Sequence, residues 1–250
     1  MSAEVTTVSS TGAKKGVKKQ RFELIPPRAI AELTKLYGRG AKKYAPNNFR
    51  LGYETSKSYG AGQRHAILFW SGENYDSETD CHHLASFVWH CFTILESNLT
   101  HPEFDDRPYG AANFAASGPL HPDGGQLSIA PAPQVISTDF RHDLLPLYPY
   151  AQVAEVFGAK TYLAHLLEDD ELTFGHLYGQ MQDHATKYWS GENVDSETDL
   201  PQLALAATYG LLLLELSIAS PEKDDRFLPA APLGYDSVPV VAPADEAVSS

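Results

Sequence analysis

Between Pro26 and Tyr44 the apolar residues Ala29, Ile30, Leu33, Leu36, Tyr37, Ala41 and Tyr44 fall three and four positions apart, the spacing of one buried stripe on an α-helix. Pro26-Pro27 sets the start of that helix, and Pro46 with Asn47-Asn48 ends it. A second helix is predicted from about Ser58 to Ser71, with His65, Leu68 and Phe69 on neighbouring turns and Gly72 as a left-handed cap. A third begins near Thr79, buries Leu84, Phe87, Val88, Cys91, Phe92 and Leu95, and fades after Glu96. The pattern returns over Tyr150 to Leu163, Phe174 to Ser190 and Thr198 to Ser217. Strand signals are scarce, and Gln134 to Ser137 is the one stretch that suggests a brief pairing. The expected fold class is all-α, with three helices in each half.

The return is a true internal repeat. Residues 70–80 read WSGENYDSETD and residues 189–199 read WSGENVDSETD, so at an offset of 119 only Tyr75 against Val194 differs. The same offset pairs Tyr59-Gly60 with Tyr178-Gly179, His65 with His184, Leu84-Ala85 with Leu203-Ala204, and Asp105-Asp106-Arg107 with Asp224-Asp225-Arg226. Upstream, with small gaps, Leu24-Ile25-Pro26 matches Leu144-Leu145-Pro146, and the run from Gly40 to Tyr44 matches that from Gly158 to Tyr162. The boundaries that follow are a polar, disordered start at 1–17, a first helical module at 18–107, a linker at 108–137, a second module at 138–228 and a disordered tail at 229–250. The linker is rich in Pro, Gly, Ala and Ser and long enough for the modules to pack face to face as a pseudo-dimer.

Composition narrows the function classes. Hydrophobic letters make up 43% of the 250 residues, enough for a real core. The formal charge of -13 excludes an extended grip on a nucleic-acid backbone, though a small phosphate-bearing ligand needs only a few local cations or a metal. The two cysteines, Cys81 and Cys91, would lie about 15 Å apart along one predicted helix and cannot bridge each other. A reduced, cytoplasmic setting is therefore expected, in the host cytoplasm if the chain is phage-encoded. No signal peptide is expected, and the apolar run Leu203 to Leu214, ending at Glu215, reads as a buried helix and not a membrane span.

The repeated segment holds the candidate chemistry. Each copy places four carboxylates within eight residues: Glu73, Asp76, Glu78 and Asp80, then Glu192, Asp195, Glu197 and Asp199. One explanation is helix capping, in which Asp76 or Ser77 accepts from the free amides of the third helix. The other is a divalent-metal site, because Mg²⁺ or Mn²⁺ takes oxygen ligands, a few carboxylates and substrate phosphates. His65 and His184 are either core histidines or phosphate and proton handlers. His82 and His83 occur only in the first copy, where Gln202 faces His83, so a metal role shared by both copies cannot use them. Lys42 and Lys160 are either phosphate contacts or ordinary C-terminal helix lysines.

Residues 21–107 resemble the phage and bacterial dATP/dGTP diphosphohydrolase N-terminal domain family, relatives of the MazG-like all-α nucleotide pyrophosphohydrolases. The resemblance rests on Arg21 to Pro27, on Gly40 to Tyr44 followed by Asn48-Phe49, on Arg64-His65, and on Trp70 to Glu73, Asp76 to Glu78 and His83 to Ala85. It implies hydrolysis of a purine deoxynucleoside triphosphate to the monophosphate and pyrophosphate, with Mg²⁺ or Mn²⁺. Placed on this chain, it implies metal ligation by Glu73, Asp76, Glu78 and Asp80, with Glu192, Asp195, Glu197 and Asp199 as a weaker second set. Glu78 and His65 would be catalytic, and Lys42, Tyr44, Asn48, Arg64 and Trp70 would contact substrate. The family pattern carries Gly where Asp80 stands and His where Ser86 stands, and the second copy replaces Arg64 by Asp183 and His83 by Gln202. One working site supported by a degenerate twin is the expectation. The competing expectations are a nucleotide or metal sensor without turnover and a structural helical phage protein.

Overall fold

The internal repeat dictates the packing. The computed structural model describes residues 6–16, 18–108 and 140–227. Its start holds a short exposed hairpin of β1 (Thr6–Val8) and β2 (Lys14–Gly16), where the polar sequence suggests no structure. The first module consists of α1 (Pro27–Lys43), α2 (Thr55–Trp70) and α3 (His83–Thr100). The second consists of α4 (Leu147–Ala159), the single-turn α5 (Leu163–Leu166), α6 (Phe174–Trp189) and α7 (Gln202–Ala219). The all-α expectation holds, and α2 with α6 and α3 with α7 begin and end at the repeat offset. The linker, the tail and the suggested strand at 134–137 lie outside the described residues.

Between α2 and α3 the chain makes a hairpin that delays the third helix. Gly72, at φ +104°, ends α2 as expected: its amide reaches Phe69 O and the Glu73 amide reaches Leu68 O, both at 3.0 Å, closing the helix in a Schellman turn. β3 (Tyr75–Asp76) then pairs antiparallel with β4 (Cys81–His82). Consequently Cys81 lies in a strand and not in a helix with Cys91, and both thiols are buried and free. The cap of α3 is His82, whose Nδ1 accepts from the Leu84 amide at 3.2 Å, and not Asp76 or Ser77.

α3 and α7 form the centre of the core. At Gly210 an added Cβ would come within 2.9 Å of Val88 Cγ2, so a glycine there permits the two helices to touch. α7 runs beyond Glu215 to Ala219 and is long and apolar enough to cross a bilayer, but 83% of it is buried inside the protein. Glu215 faces inward and ends on the other module, where its Oε2 accepts from the Ala29 amide at 3.0 Å at the start of α1.

The modules meet about a pseudo-twofold axis, because contacts recur with the partners exchanged. Trp70 stacks on Tyr178 and Tyr59 on Trp189, each pair with centroids 4.3 Å apart. The Arg21 amide donates to Ala154 O at 2.9 Å, and the Arg141 amide to Thr34 O at 3.2 Å, so each module's leading segment lies on the other's first helix. Arg107 reaches Tyr188 O and Asn193 Oδ1 while stacking over the Tyr188 ring at 4.0 Å. Arg226 does the same to Phe69 O, Asn74 Oδ1 and the Phe69 ring at 4.3 Å. Each guanidinium is also held in a fork by its own aspartate, Asp105 or Asp224. This is the self-complementary contact of a twofold dimer, made within one chain.

The Arg107 and Asp105 side chains are 0% and 3% exposed, and those of Arg226 and Asp224 are 2% and 24% exposed. Removing one member of a buried pair leaves the other uncompensated, at about 3–5 kcal/mol. Urea unfolding should therefore show Arg107→Ala losing about 3 kcal/mol or more, with Arg226→Ala losing less because water reaches Asp224. Losses under about 1 kcal/mol for both would remove the arginine clasp from the account.

Candidate functional site

A cavity of about 520 Å³ opens in the first module between α1, the 3-10 turn Asn48–Leu51, the hairpin and α3. α1 contributes Arg39, Gly40 and Lys43, which share one face at helical spacing, and Tyr44 follows at the mouth. Tyr37, Phe49 and Trp89 form an aromatic wall, packed edge-on or tilted with centroids 5.5–6.2 Å apart. His65, Ser86 and His90 line another side, with Asp76, Glu78 and Thr79 from the hairpin. Leu144, from the second module's leading segment, completes the lining.

The turn at 48–51 is held by a consequence of broken symmetry. Glu96 occupies in α3 the place of Glu215 in α7, but the residue at the position of Ala29 in the second module is Pro149, which has no amide to donate. Glu96 instead pairs with Arg50 Nε at 3.1 Å while 3% exposed. Burial raises its pKa, opposed by the Arg50 charge.

The four acids of the hairpin do not gather around one point. Asp76 Oδ1 accepts from the Glu78 amide at 2.8 Å and from the Thr79 amide at 3.4 Å, stabilising the hairpin turn. Glu78 forms an ion pair with Lys43, both ends largely exposed. Asp80 turns the other way, to Lys35 at 3.5 Å and Arg39 at 3.8 Å. Its φ is +52°, as that of Asp199 is +58°, a left-handed conformation that explains why glycine suits this position. Glu73 does not line the cavity, although its charge, with that of Asp76, opposes the burial that lowers the pKa of His83. An oxygen-only cage for Mg²⁺ or Mn²⁺ built from Glu73, Asp76, Glu78 and Asp80 therefore does not fit this structure.

The substrate contacts expected from sequence divide in the same way. Tyr44, Asn48, His65, Asp76 and Glu78 line the cavity; Lys42, Arg64 and Trp70 do not. Lys43 and Arg39 hold the cationic places, since Lys42 is rotated about 100° from Lys43 on the helix. Arg64 is exposed. Trp70 is occupied by Tyr178 at the module interface. The letter-for-letter agreement of the two copies has a structural cause as well: within it Gly72, Asn74, Asp76 and Asp80 serve the Schellman turn, the opposite arginine, the hairpin cap and the left-handed position.

Spacing along the chain carries no sign of a group of histidines drawn from two helices. His65 Nδ1 lies 2.8 Å from His83 Nδ1, and Asp76 brings an oxygen into the same cluster, whose ligand atoms all fall within 4.8 Å of one another. His83 is 2% exposed, and its Nε2 has no hydrogen-bond partner among the described residues, a deficit worth about 1–3 kcal/mol. His90 Nδ1 bonds Ser58 Oγ at 2.9 Å, and its ring stacks on His65 at 5.9 Å. Such a cluster offers two neutral imidazoles and an anionic oxygen at one edge of a cavity. In the second copy His184 Nδ1 meets Gln202 Oε1 at 2.6 Å, Tyr209 stacks on His184 where His90 would stand, and Asp195 Oδ2 accepts from the Thr198 amide and hydroxyl. The twin therefore replaces two of the four polar groups.

Burial keeps these histidines neutral. His65 is pushed down to about 4, chiefly by burial and then by the charge of His83, with Arg64 adding to the effect and Asp76 opposing it. His90 and His82 are pushed down to about 3, again first by burial. A neutral His65 can accept or donate a hydrogen bond but cannot serve as a fixed cation for phosphate. An unfolded histidine titrates near 6.5, so the contribution of these groups is complete above that pH. As the pH falls toward 4 the unfolded chain takes up protons that the folded chain refuses, and stability drops by up to about 1.4 kcal/mol per pH unit per histidine. Melting curves should show Tm falling steadily from pH 7 to pH 5, with a shallower slope in His90→Gln; a flat profile would contradict the buried neutral state.

The comparisons with known proteins agree with the repeat. The family model described as dATP/dGTP diphosphohydrolase, N-terminal, matches twice, over residues 9–107 and 131–226. No curated protein and no solved structure matches the chain. Both modules, and with them most of its length, make this chain a member of the dATP/dGTP diphosphohydrolase N-terminal family.

Proposed function

We propose that the first module hydrolyses a deoxynucleoside triphosphate, dATP or dGTP, to the monophosphate and pyrophosphate. The family name is that of a diphosphohydrolase, a hydrolase acting on phosphoanhydrides. The observation that supports the finer reading is the cavity itself. It sets Lys43 and Arg39 beside Asp76 and Glu78 on one side and an aromatic wall on the other, in a volume suited to a small ligand.

The chain's own residues carry most of the chemistry. The triphosphate enters as its Mg²⁺ or Mn²⁺ complex, the form in which phosphoryl chemistry is usually done. Its phosphates compete with Glu78 for Lys43, so binding detaches Glu78 from its ion pair and leaves a carboxylate beside the same phosphates. Arg39 adds a second cation from the same helix face. Glu78 accepts the proton of a water whose oxygen attacks the α-phosphorus; the bond from that phosphorus to the bridging oxygen breaks, and pyrophosphate leaves on the far side. His65, neutral, orients water or a phosphate oxygen by hydrogen bonding. The base rests against Tyr37, Phe49 and Trp89, with Tyr44 and Asn48 near the mouth.

The test is release of pyrophosphate and monophosphate from each of the four deoxynucleoside triphosphates with Mg²⁺ or Mn²⁺. Turnover of dATP or dGTP is expected, and Glu78→Gln should lower kcat about a hundredfold or more. Glu197→Gln, in the twin, should leave kcat within about twofold, because its surroundings carry Gln202 and Tyr209. Absence of turnover with every substrate, or equal losses in the two variants, would overturn the proposal.

A further inference from the structure

We propose that His65, Asp76 and His83 form a resident binding site for one divalent d-block ion, of the Zn²⁺, Co²⁺ or Mn²⁺ class, and that the second module has no counterpart. The inference deepens the reading of the same cavity, since His65 and Asp76 both line it.

Three observations carry it. The first is convergence: two imidazoles from α2 and α3 and a carboxylate oxygen from the hairpin lie within 4.8 Å of one another. Imidazole suits Zn²⁺ and Co²⁺, and Mn²⁺ tolerates it beside a carboxylate, whereas Mg²⁺ asks for oxygen in six-fold array, so the donor set itself discriminates against Mg²⁺. The second is the state of His83, 2% exposed with Nδ1 held against the Nδ1 of another histidine. Two facing ring nitrogens share one proton between two lone pairs, and a cation between them satisfies both. Ligation at about 2.1 Å requires the nitrogens to part by roughly half an ångström, which small rotations of the two rings supply. The third is the twin. Its Gln202 meets His184 at 2.6 Å, so an amide there satisfies the histidine by itself, without a shared ligand role. With three protein ligands, an ion there would keep open positions for a water or a phosphate oxygen from the cavity that His65 and Asp76 line.

Because the Gln202–His184 pair already exists in this fold, His83→Gln reproduces a packing that the second module adopts. The full-length protein, stripped with chelator and without nucleotide, should take up one Co²⁺ per chain with visible d–d absorption, and one Zn²⁺ in competition. Mg²⁺ should compete roughly a hundredfold more weakly. His83→Gln should lose about a hundredfold or more in Co²⁺ affinity while its circular dichroism and melting curve without metal stay close to those of the parent. Asp76→Asn should also weaken binding, and Glu73→Gln and Asp80→Asn should not. Absence of bound Co²⁺, two equivalent ions per chain, or unchanged affinity in His83→Gln would overturn the site. Hydrolysis of dATP or dGTP by a chain that binds no such ion would leave the proposed activity standing and remove this inference; an ion bound as described without turnover would do the reverse.

Discussion

Everything in this molecule depends on the exchange of two arginines across a pseudo-twofold axis. Arg107 and Arg226 each leave their own module, stack on an aromatic ring of the other and bind the carbonyl and the asparagine that frame the turn after its α6 or α2. A guanidinium buried in that way needs its aspartate fork and its carbonyl acceptors together. With both sites satisfied, α3 and α7 lie in contact and Leu144 of one module lines the cavity of the other. The repeated segment is thus first a clasp, and its chemistry is built on a turn that the clasp already fixes.

Onto that symmetric frame a few substitutions write a difference. Pro149 removes the amide donor that Ala29 supplies to Glu215, and Glu96 pairs with Arg50, in the 48–51 turn that walls the cavity. Gln202 in place of histidine, and Tyr209 in place of His90, put a hydrogen bond to His184 and a ring stacked on it in the corresponding region of the twin. Each change is small and local, yet together they leave the convergent ligands in one copy. The second module then acts as the partner that a twofold dimer would supply, while its own turn between α6 and α7 keeps Asn193 for the clasp and Asp195 for the turn itself.

Much of this architecture is legible in the amino-acid sequence. The 3.6-residue stripes locate the helices to within a few residues, and the repeat foretells the paired packing. Gly72 announces its left-handed turn. What a linear pattern does not carry is contact between distant segments. Four acids in eight residues suggest convergence, but side chains on a two-residue strand pair and its turn leave in different directions, and Lys43, Lys35 and Arg39 take two of them. Helical spacing along α1 points to the correct face, yet the motif draws attention to Lys42, and it is Lys43 that shares the face of Arg39 and Gly40. The absence of His83 from the twin argues, in sequence, only against a metal role shared by both copies; in three dimensions that same difference is what distinguishes the two modules chemically.

A crystal of the full chain soaked with Mn²⁺ and a non-hydrolysable dGTP analogue tests the central claim most directly. The account predicts one anomalous peak per chain, beside His65, Asp76 and His83, with the triphosphate against Lys43 and Arg39 and no peak in the second module. Peaks of equal height in the two modules, or an ion held by Glu73 and Asp80 away from the histidines, would contradict it.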